Sequence, residues 1–181
     1  MAALLGLDFA TAAAAAAEGA QGDVCQAAND NSDGQVVISG HKAAVERAAE
    51  IAKAKGAKRA VMLPVSAPFH CALMQPAADA MAQALGKVGM HAPVVPVIAN
   101  VKAAPLSDAA TIRDSLVAQV TGTVRWRECV AHMAAQGVTL FAELGSGKVL
   151  TGLAKKNAPN AQAIAIGSPD DLIAALPLLK G

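Results

Sequence analysis

A chain of 181 residues has the length of one ordinary domain or two small ones, and 15 lysines and arginines against 14 acids leave a net charge of +1 with no basic stripe for nucleic acid. Three Phe, one Trp and no Tyr provide no aromatic platform for stacked bases, so the apolar 54% packs through Ala, Val, Leu and Met, which suits helices lying close on a sheet. The longest apolar run, FATAAAAAAEGA, is too short and alanine-rich to span a bilayer, and the N-terminus lacks the features of a signal peptide, so a soluble, cytoplasmic protein without a membrane partner is expected.

Residues 1–65 alternate strand and helix signals. AALLGL reads as a short apolar strand, and DFATAAAAAAEGA as a helix with Asp8 at its N-cap. VCQAA and QVVISG are strand-like and are joined by a polar turn, NDNSDG. A second helix follows in HKAAVERAAEIAKAKG, where Val45, Ala48, Ala49 and Ala52 share a face and Gly56 ends the run. KRAVMLPV closes the unit as a strand. The order β-α-β-β-α-β predicts a ferredoxin-like unit: four antiparallel strands with both helices on one face.

From Ser66 onward helices alternate with apolar strands. VSAPFHCALM sets His70 between a strand-like stretch and a helix-like one, ALMQPAADAMAQALGKV. Pro68 breaks regular backbone just before it, because proline fixes φ and lacks an N–H. A strand end leading into a helix start is where α/β proteins hold reactive side chains, although a histidine that merely satisfies a local backbone group fits the position equally. PVVPVIANV reads as a strand at a sheet margin, and DAATIRDSLVAQVTG and RWRECVAHMAAQG as helices. VTLFAELG is a buried strand, VLTGLAKK a helix and AQAIAIG a last strand. SPDDLIAALPLL opens a helix with Ser168 as N-cap, Pro169 at N1 and Asp171 at N3. Strands between helices predict a parallel sheet, here too thin for its helices.

Three cysteines, Cys25, Cys71 and Cys129, stand far apart without a C-x-x-C, and the four histidines show no metal spacing. Neither a disulfide framework nor a metal is expected, and no cofactor. Cys71 adjoins His70, but sequence neighbours point in divergent directions, so Cys71 reads as a buried free thiol rather than a nucleophile. GSGK at 145–148 is not a phosphate loop, since Ala142 stands where the first glycine belongs and Val149 where the hydroxyl belongs. It reads as a tight strand–glycine–helix turn.

NDNSDGQVVISGHKAAVERA, LPVSAPFHCALMQPAAD, VPVIANV, VRWRECVAHMAAQGV and ELGSGKVLTGL, in this order and at these intervals, resemble the malonyl-CoA:acyl carrier protein transacylases of bacterial fatty acid synthesis. The resemblance runs over nearly the whole chain. It implies a ferredoxin-like subdomain, 1–65, inserted into an α/β-hydrolase-like core of which 66–181 is the C-terminal part. It also implies that His70 is the catalytic base, with one ring nitrogen held by the main-chain carbonyl of Gln119. Asn29 and Asn31 form the family's N-x-N, either as turn chemistry or lining the acyl cleft. Phe69 resembles the phenylalanine that accompanies malonyl preference in related polyketide acyltransferases. The implied partners are malonyl-CoA and an acidic acyl carrier protein, which Lys42, Arg47, Lys53, Lys55, Lys58 and Arg59 would steer unless they are ordinary solvated cations.

The departures are as informative. The family's G-H-S-x-G elbow and its carboxylate-binding arginine have no counterpart here, because MAALLGLD already matches the start of the inserted subdomain, and Met1 resembles an internal methionine. Ser146 replaces a proline usual in the glycine turn. Three readings follow: the C-terminal part of a malonyltransferase, predicted inactive alone; an acyltransferase domain of a polyketide synthase; or a non-catalytic module that binds carrier proteins.

Overall fold

Strands β1 (Ala2–Leu5), β2 (Cys25–Ser32), β3 (Gln35–Gly40) and β4 (Arg59–Met62) form one antiparallel sheet, in the order β2-β3-β1-β4, in the computed structural model, which describes residues 1–179. Helix α1 (Phe9–Ala20) lies between β1 and β2 in sequence, and α2 (Lys42–Ala54) between β3 and β4. This is the expected β-α-β-β-α-β unit. In register, Ala2 faces Ile38 and Leu4 faces Val36, and all four are buried. Because side chains alternate along a strand, these four share one face. Ala12, Ala15 and Ala16 of α1 join the same core as Ala44, Val45, Ala48 and Ala52 of α2, so both helices cover that face. Small residues let the two helices approach closely. A Cβ on Gly19 would lie 2.6 Å from the Cα and Cβ of Ala48, so a larger residue there must force the helices apart.

Two expectations change, one in this unit and one beyond it. NDNSDG is not all turn: β2 continues to Ser32, and only Asp33 and Gly34 remain between the strands, with Gly34 at φ +71. The polar residues stay in the strand because β2 carries two bulges, between Ala27 and Asn29 and between Asp30 and Ser32, which re-aim side chains without ending the pairing. PVVPVIANV keeps only β5 (Val97–Ala99) as strand, and β5 pairs antiparallel with β6 (Ala104–Leu106) in a two-stranded sheet of its own. Pro93 and Pro96 withhold amide donors ahead of it. Beyond it Ala103, at φ +51, donates its N–H to the Ala99 carbonyl at 2.7 Å and turns the chain back. A single 3₁₀ turn (Ala72–Met74) leads into α3 (Gln75–Leu85), and α4 (Ala109–Thr121) follows β6.

Contacts divide the chain into two units, Met1–Cys129 and the residues from Val130 on, with the boundary inside α5 (Trp126–Ala135). In the second unit β7 (Leu140–Leu144) and β8 (Gln162–Ile166) pair in parallel across α6 (Val149–Asn157), and α7 (Pro169–Leu179) follows. The core of this unit is small, and VTLFAELG is not the buried strand its composition suggested, since Leu144 is 76% exposed. GSGK is the expected tight turn, with Gly145 at φ +127 and Gly147 at φ +96. Its purpose is visible in Glu143. That carboxylate reaches over the turn to accept from the N–H groups of Leu150 and Thr151, at 3.1 and 2.7 Å, and so caps α6, whose own N-cap residue Lys148 cannot. Among the described residues no helix is long and apolar enough to cross a membrane.

Among the described residues, four helices carry such a carboxylate at their start. Asp8 accepts from Thr11, Asp108 from Thr111, and Asp171 from Ser168 and Gly167, besides Glu143 from Thr151 and Leu150. In Asp8 and Asp108 the main-chain N–H is the largest cause of a pKa held below the ordinary value, and in Asp171 and Glu143 the hydroxyl is. A depressed acid contributes stability that is present above its unfolded pKa and lost as pH falls through the folded value. Stability of the chain is therefore expected to be flat from neutrality down to about pH 5 and to fall progressively below about pH 4. Urea midpoints taken across pH 3–7 check this, and the fall should shrink when Asp8 and Asp108 are both replaced by Asn, which still caps.

Candidate functional site

His70 sits on the turn that follows β4, at φ +59, a left-handed backbone that residues other than glycine seldom adopt. Such a conformation costs on the order of 1 kcal/mol and persists only where its surroundings impose it. Three contacts do so here. The Cys71 thiol donates to the Pro68 carbonyl at 3.1 Å, the Ala72 N–H donates to the Gln26 side-chain oxygen at 2.8 Å, and His70 Nδ1 lies 3.0 Å from the main-chain oxygen of Gln119. A carbonyl can only accept, so Nδ1 carries the hydrogen and Nε2 of the neutral ring keeps a bare lone pair. The ring is half-buried and oriented by a fixed oxygen, and among the described residues Nε2 shows no hydrogen-bond partner, a geometry suited to accepting a proton.

Gln119 belongs to the last turn of α4, where main-chain carbonyls have no further helical donors. The sequence therefore places a vacant acceptor where His70 can use it. A ring protonated at Nε2 would turn its positive charge towards the same oxygen. In triads an aspartate occupies this position; here a neutral carbonyl does the orienting.

Phe69 precedes His70 on the same turn and is 41% exposed, an uncommon placement for a phenylalanine with no other role in the core. A groove of about 690 Å³ runs beside this stretch, lined among others by His41, Lys42, Met62, Ser66 and Pro68. Asn29 and Asn31 both lie in β2. Asn29 pairs with Val37 and also bridges in parallel to Val124, and Asn31 is the extra residue of the second bulge. They belong to the strand rather than the turn, beside the segment that follows Gln119. All three cysteines are buried free thiols: Cys71 is fully buried against Pro68, and burial pushes the thiols of Cys25 and Cys129 up to about 11.

Asp30, between the two asparagines, is a residue that sequence reading passed over. It is 2% exposed, and its carboxylate accepts from Arg127 Nε at 3.1 and 3.0 Å and from Nη2 at 2.8 Å. This fork ties the start of α5 to β2. A lone acid among the buried residues Ala28 and Ser32 demanded a cation, but nothing local says that it comes from VRWREC, almost a hundred residues on. Part of the cationic cluster around α2 is engaged within the fold. Arg47 donates to the carbonyls of Gly19 and Ala20 at the end of α1 and pairs with Asp23 at 3.1 Å, while Lys53 pairs with Glu50 and Lys55 with Glu18. Arg47 thus serves the fold, and the exposed pairs of Lys53 and Lys55 offset part of the local field.

The acyl transferase domain family matches residues 2–166. The malonyl CoA-acyl carrier protein transacylase of Salmonella typhimurium is 53% identical over 176 residues, which are 97% of this chain and 57% of that relative. Among solved structures, an acyl-carrier-protein-S-malonyltransferase of Bartonella henselae superposes with a TM-score of 0.94 at 53% identity, over 99% of this chain and 57% of that one. A malonyl-transacylase solved in complex with its type II polyketide acyl-carrier protein superposes with a TM-score of 0.93 at 45% identity, over 98% of this chain and 57% of that one. The chain thus spans a little over half the length of the relatives it matches.

Proposed function

We propose that this chain, which belongs to the acyl transferase domain family, carries the general base of a malonyl-CoA:acyl carrier protein transacylase, and that His70 is that base. The observation that carries the reading is the 3.0 Å contact of His70 Nδ1 with the Gln119 carbonyl, which leaves Nε2 bare. In this reading Nε2 takes the proton of a serine hydroxyl as that oxygen attacks the thioester carbonyl of malonyl-CoA. The imidazolium then returns the proton to the departing coenzyme A sulfur, leaving malonyl on the serine. The pantetheine thiol of the carrier next gives its proton to Nε2 and attacks the acyl-serine. The malonyl carbonyl moves to sulfur and the serine oxygen leaves with the proton.

The 181 residues hold no G-x-S-x-G, so the nucleophile of this reading lies outside them, as does the cation that would neutralise the malonyl carboxylate. The reading also takes residues 1–65 as the inserted subdomain and 66–181 as part of the acyltransferase core, with Phe69, Asn29 and Asn31 lining the acyl space and the cytoplasm as the place of action. The type II polyketide malonyl-transacylase that superposes on the chain was solved with its acyl-carrier protein, which supports an acyl carrier as the second substrate.

The test uses radiolabelled malonyl-CoA with the full-length protein and, separately, with the 181-residue chain. The full-length protein should form a hydroxylamine-labile malonyl adduct and pass it to holo acyl carrier protein, while the chain alone takes no label. Covalent malonyl on the 181-residue chain would overturn the assignment of the nucleophile elsewhere. A full-length protein that takes no malonyl would overturn the function.

A further inference from the structure

The Gln119 carbonyl can serve His70 only because α4 stops where it does. One more helical residue would bring the N–H of residue 123 back onto that oxygen, since each helical N–H returns to the carbonyl four residues earlier. The last helical return is instead Gly122 N to Ala118 O at 2.9 Å, and Gly122 turns extended, at φ −91 and ψ 153. What pulls the chain off its helical course is visible in the next three residues. Thr123 Oγ1 donates to the Ala27 carbonyl at 2.8 Å. Val124 bridges to β2, its N–H donating to Ala28 O and its carbonyl accepting from Asp30 N, each at 2.8 Å. The Arg125 N–H donates to Asn100 O at 3.0 Å. Gln119 itself closes the turn, its side-chain Nε2 donating to Gly122 O at 3.0 Å. The position also excludes a side chain: a Cβ on Gly122 would lie 2.7 Å from Ala118 O and 2.8 Å from Val101 Cγ2.

We propose that the side chains of Gln119 and Thr123, with Gly122 and the Val124 bridge to β2, form a positioning device that ends α4 early and so keeps the Gln119 carbonyl vacant for His70, fixing the Nδ1–H tautomer of the base. The inference rests on His70 being the base of the proposed transfer. It assigns the Gln119 side chain a role separate from that of its main-chain oxygen. It also explains the placement of a β2 bulge opposite Val124: the extra residue Ala28 presents the carbonyl that Val124 needs.

Two substitutions leave the Gln119 carbonyl chemically intact while loosening what places it. Gln119→Met removes the donor to Gly122 O, and the fold should tolerate it because the amide oxygen Oε1 is already buried without a partner. Thr123→Val removes the hydroxyl bond to Ala27, and Thr123→Ser restores it. In the full-length protein each loosening substitution should lower kcat for malonyl transfer roughly tenfold, the effect of one hydrogen bond's worth of orientation, with KM for malonyl-CoA unchanged and Thr123→Ser near the parent. Long-range ¹⁵N–¹H spectra of the imidazoles, with His70 assigned through His70→Asn, should show a single Nδ1–H tautomer in the parent and a mixture in both loosened variants. An unaltered tautomer and kcat in both variants would overturn the device. If the parent itself transfers no malonyl, the proposed function fails, and the tautomer spectra still decide whether the device exists.

Discussion

Replacing His70 by Asn in the full-length protein is expected to lower malonyl transfer by at least two orders of magnitude while leaving the fold in place. A serine hydroxyl is a poor nucleophile at neutral pH, and removal of a positioned general base forfeits roughly 10²–10⁴ in rate. Asn is the informative substitution because of the backbone. At φ +59 the position disfavours Ala and penalises β-branched residues, whereas Asn enters the left-handed region readily. A loss of rate in His70→Asn therefore reports on chemistry, and His70→Val should lose stability as well. Both acyl-enzyme formation and transfer to the carrier should slow, since in the proposed mechanism the imidazole serves each half-reaction. Stopped-flow quench of the first turnover separates them. A near-parental rate in His70→Asn removes this histidine from the mechanism.

The second large effect is expected on stability. Arg127→Met leaves the Asp30 carboxylate, 3% exposed in its side chain, without its guanidinium. Removing one partner of a fully buried pair costs 3–5 kcal/mol. Arg127 is 42% exposed, so water can follow into the gap and about 3 kcal/mol is the expected cost. In a chain of this size that lowers the thermal midpoint by about 6–12 °C. The double substitution Asp30→Asn with Arg127→Met removes the stranded charge along with its partner and should recover more than half of the loss. Additive losses instead would mean that Arg127 acts through something other than Asp30. The neighbouring backbone bond from Asp30 N to Val124 O belongs to the same strand crossing, so hydrogen exchange at Asp30 should quicken in Arg127→Met.

The small sheet was legible in the sequence because its signals are local. Short apolar runs in AALLGL and QVVISG, alanine faces in two helices, and Asp8 as a cap each depend on neighbours a few residues away, and the structure keeps all of them. Ser168, Pro169 and Asp171 at the start of α7 were readable for the same reason: the Asp171 N–H donates to Ser168 Oγ at 3.2 Å, and Ser168 Oγ donates to Asp171 at 2.8 Å. PVVPVIANV misled because an apolar run does not state its partner, and its own prolines turned it into half of a short hairpin.

The candidate site is different in kind. His70 stood out on its turn, but sequence alone could not say whether its ring served chemistry or merely a backbone group. What the ring meets depends on a carbonyl 49 residues away, in the last turn of a helix beyond which Thr123 and Val124 dock on β2. Asp30 and Arg127, 97 residues apart, are joined in the same way. Local propensity acts over a few residues. A vacant acceptor and a buried ion pair exist only where distant segments meet, and the three-dimensional packing of β2, α4 and α5 brings them together.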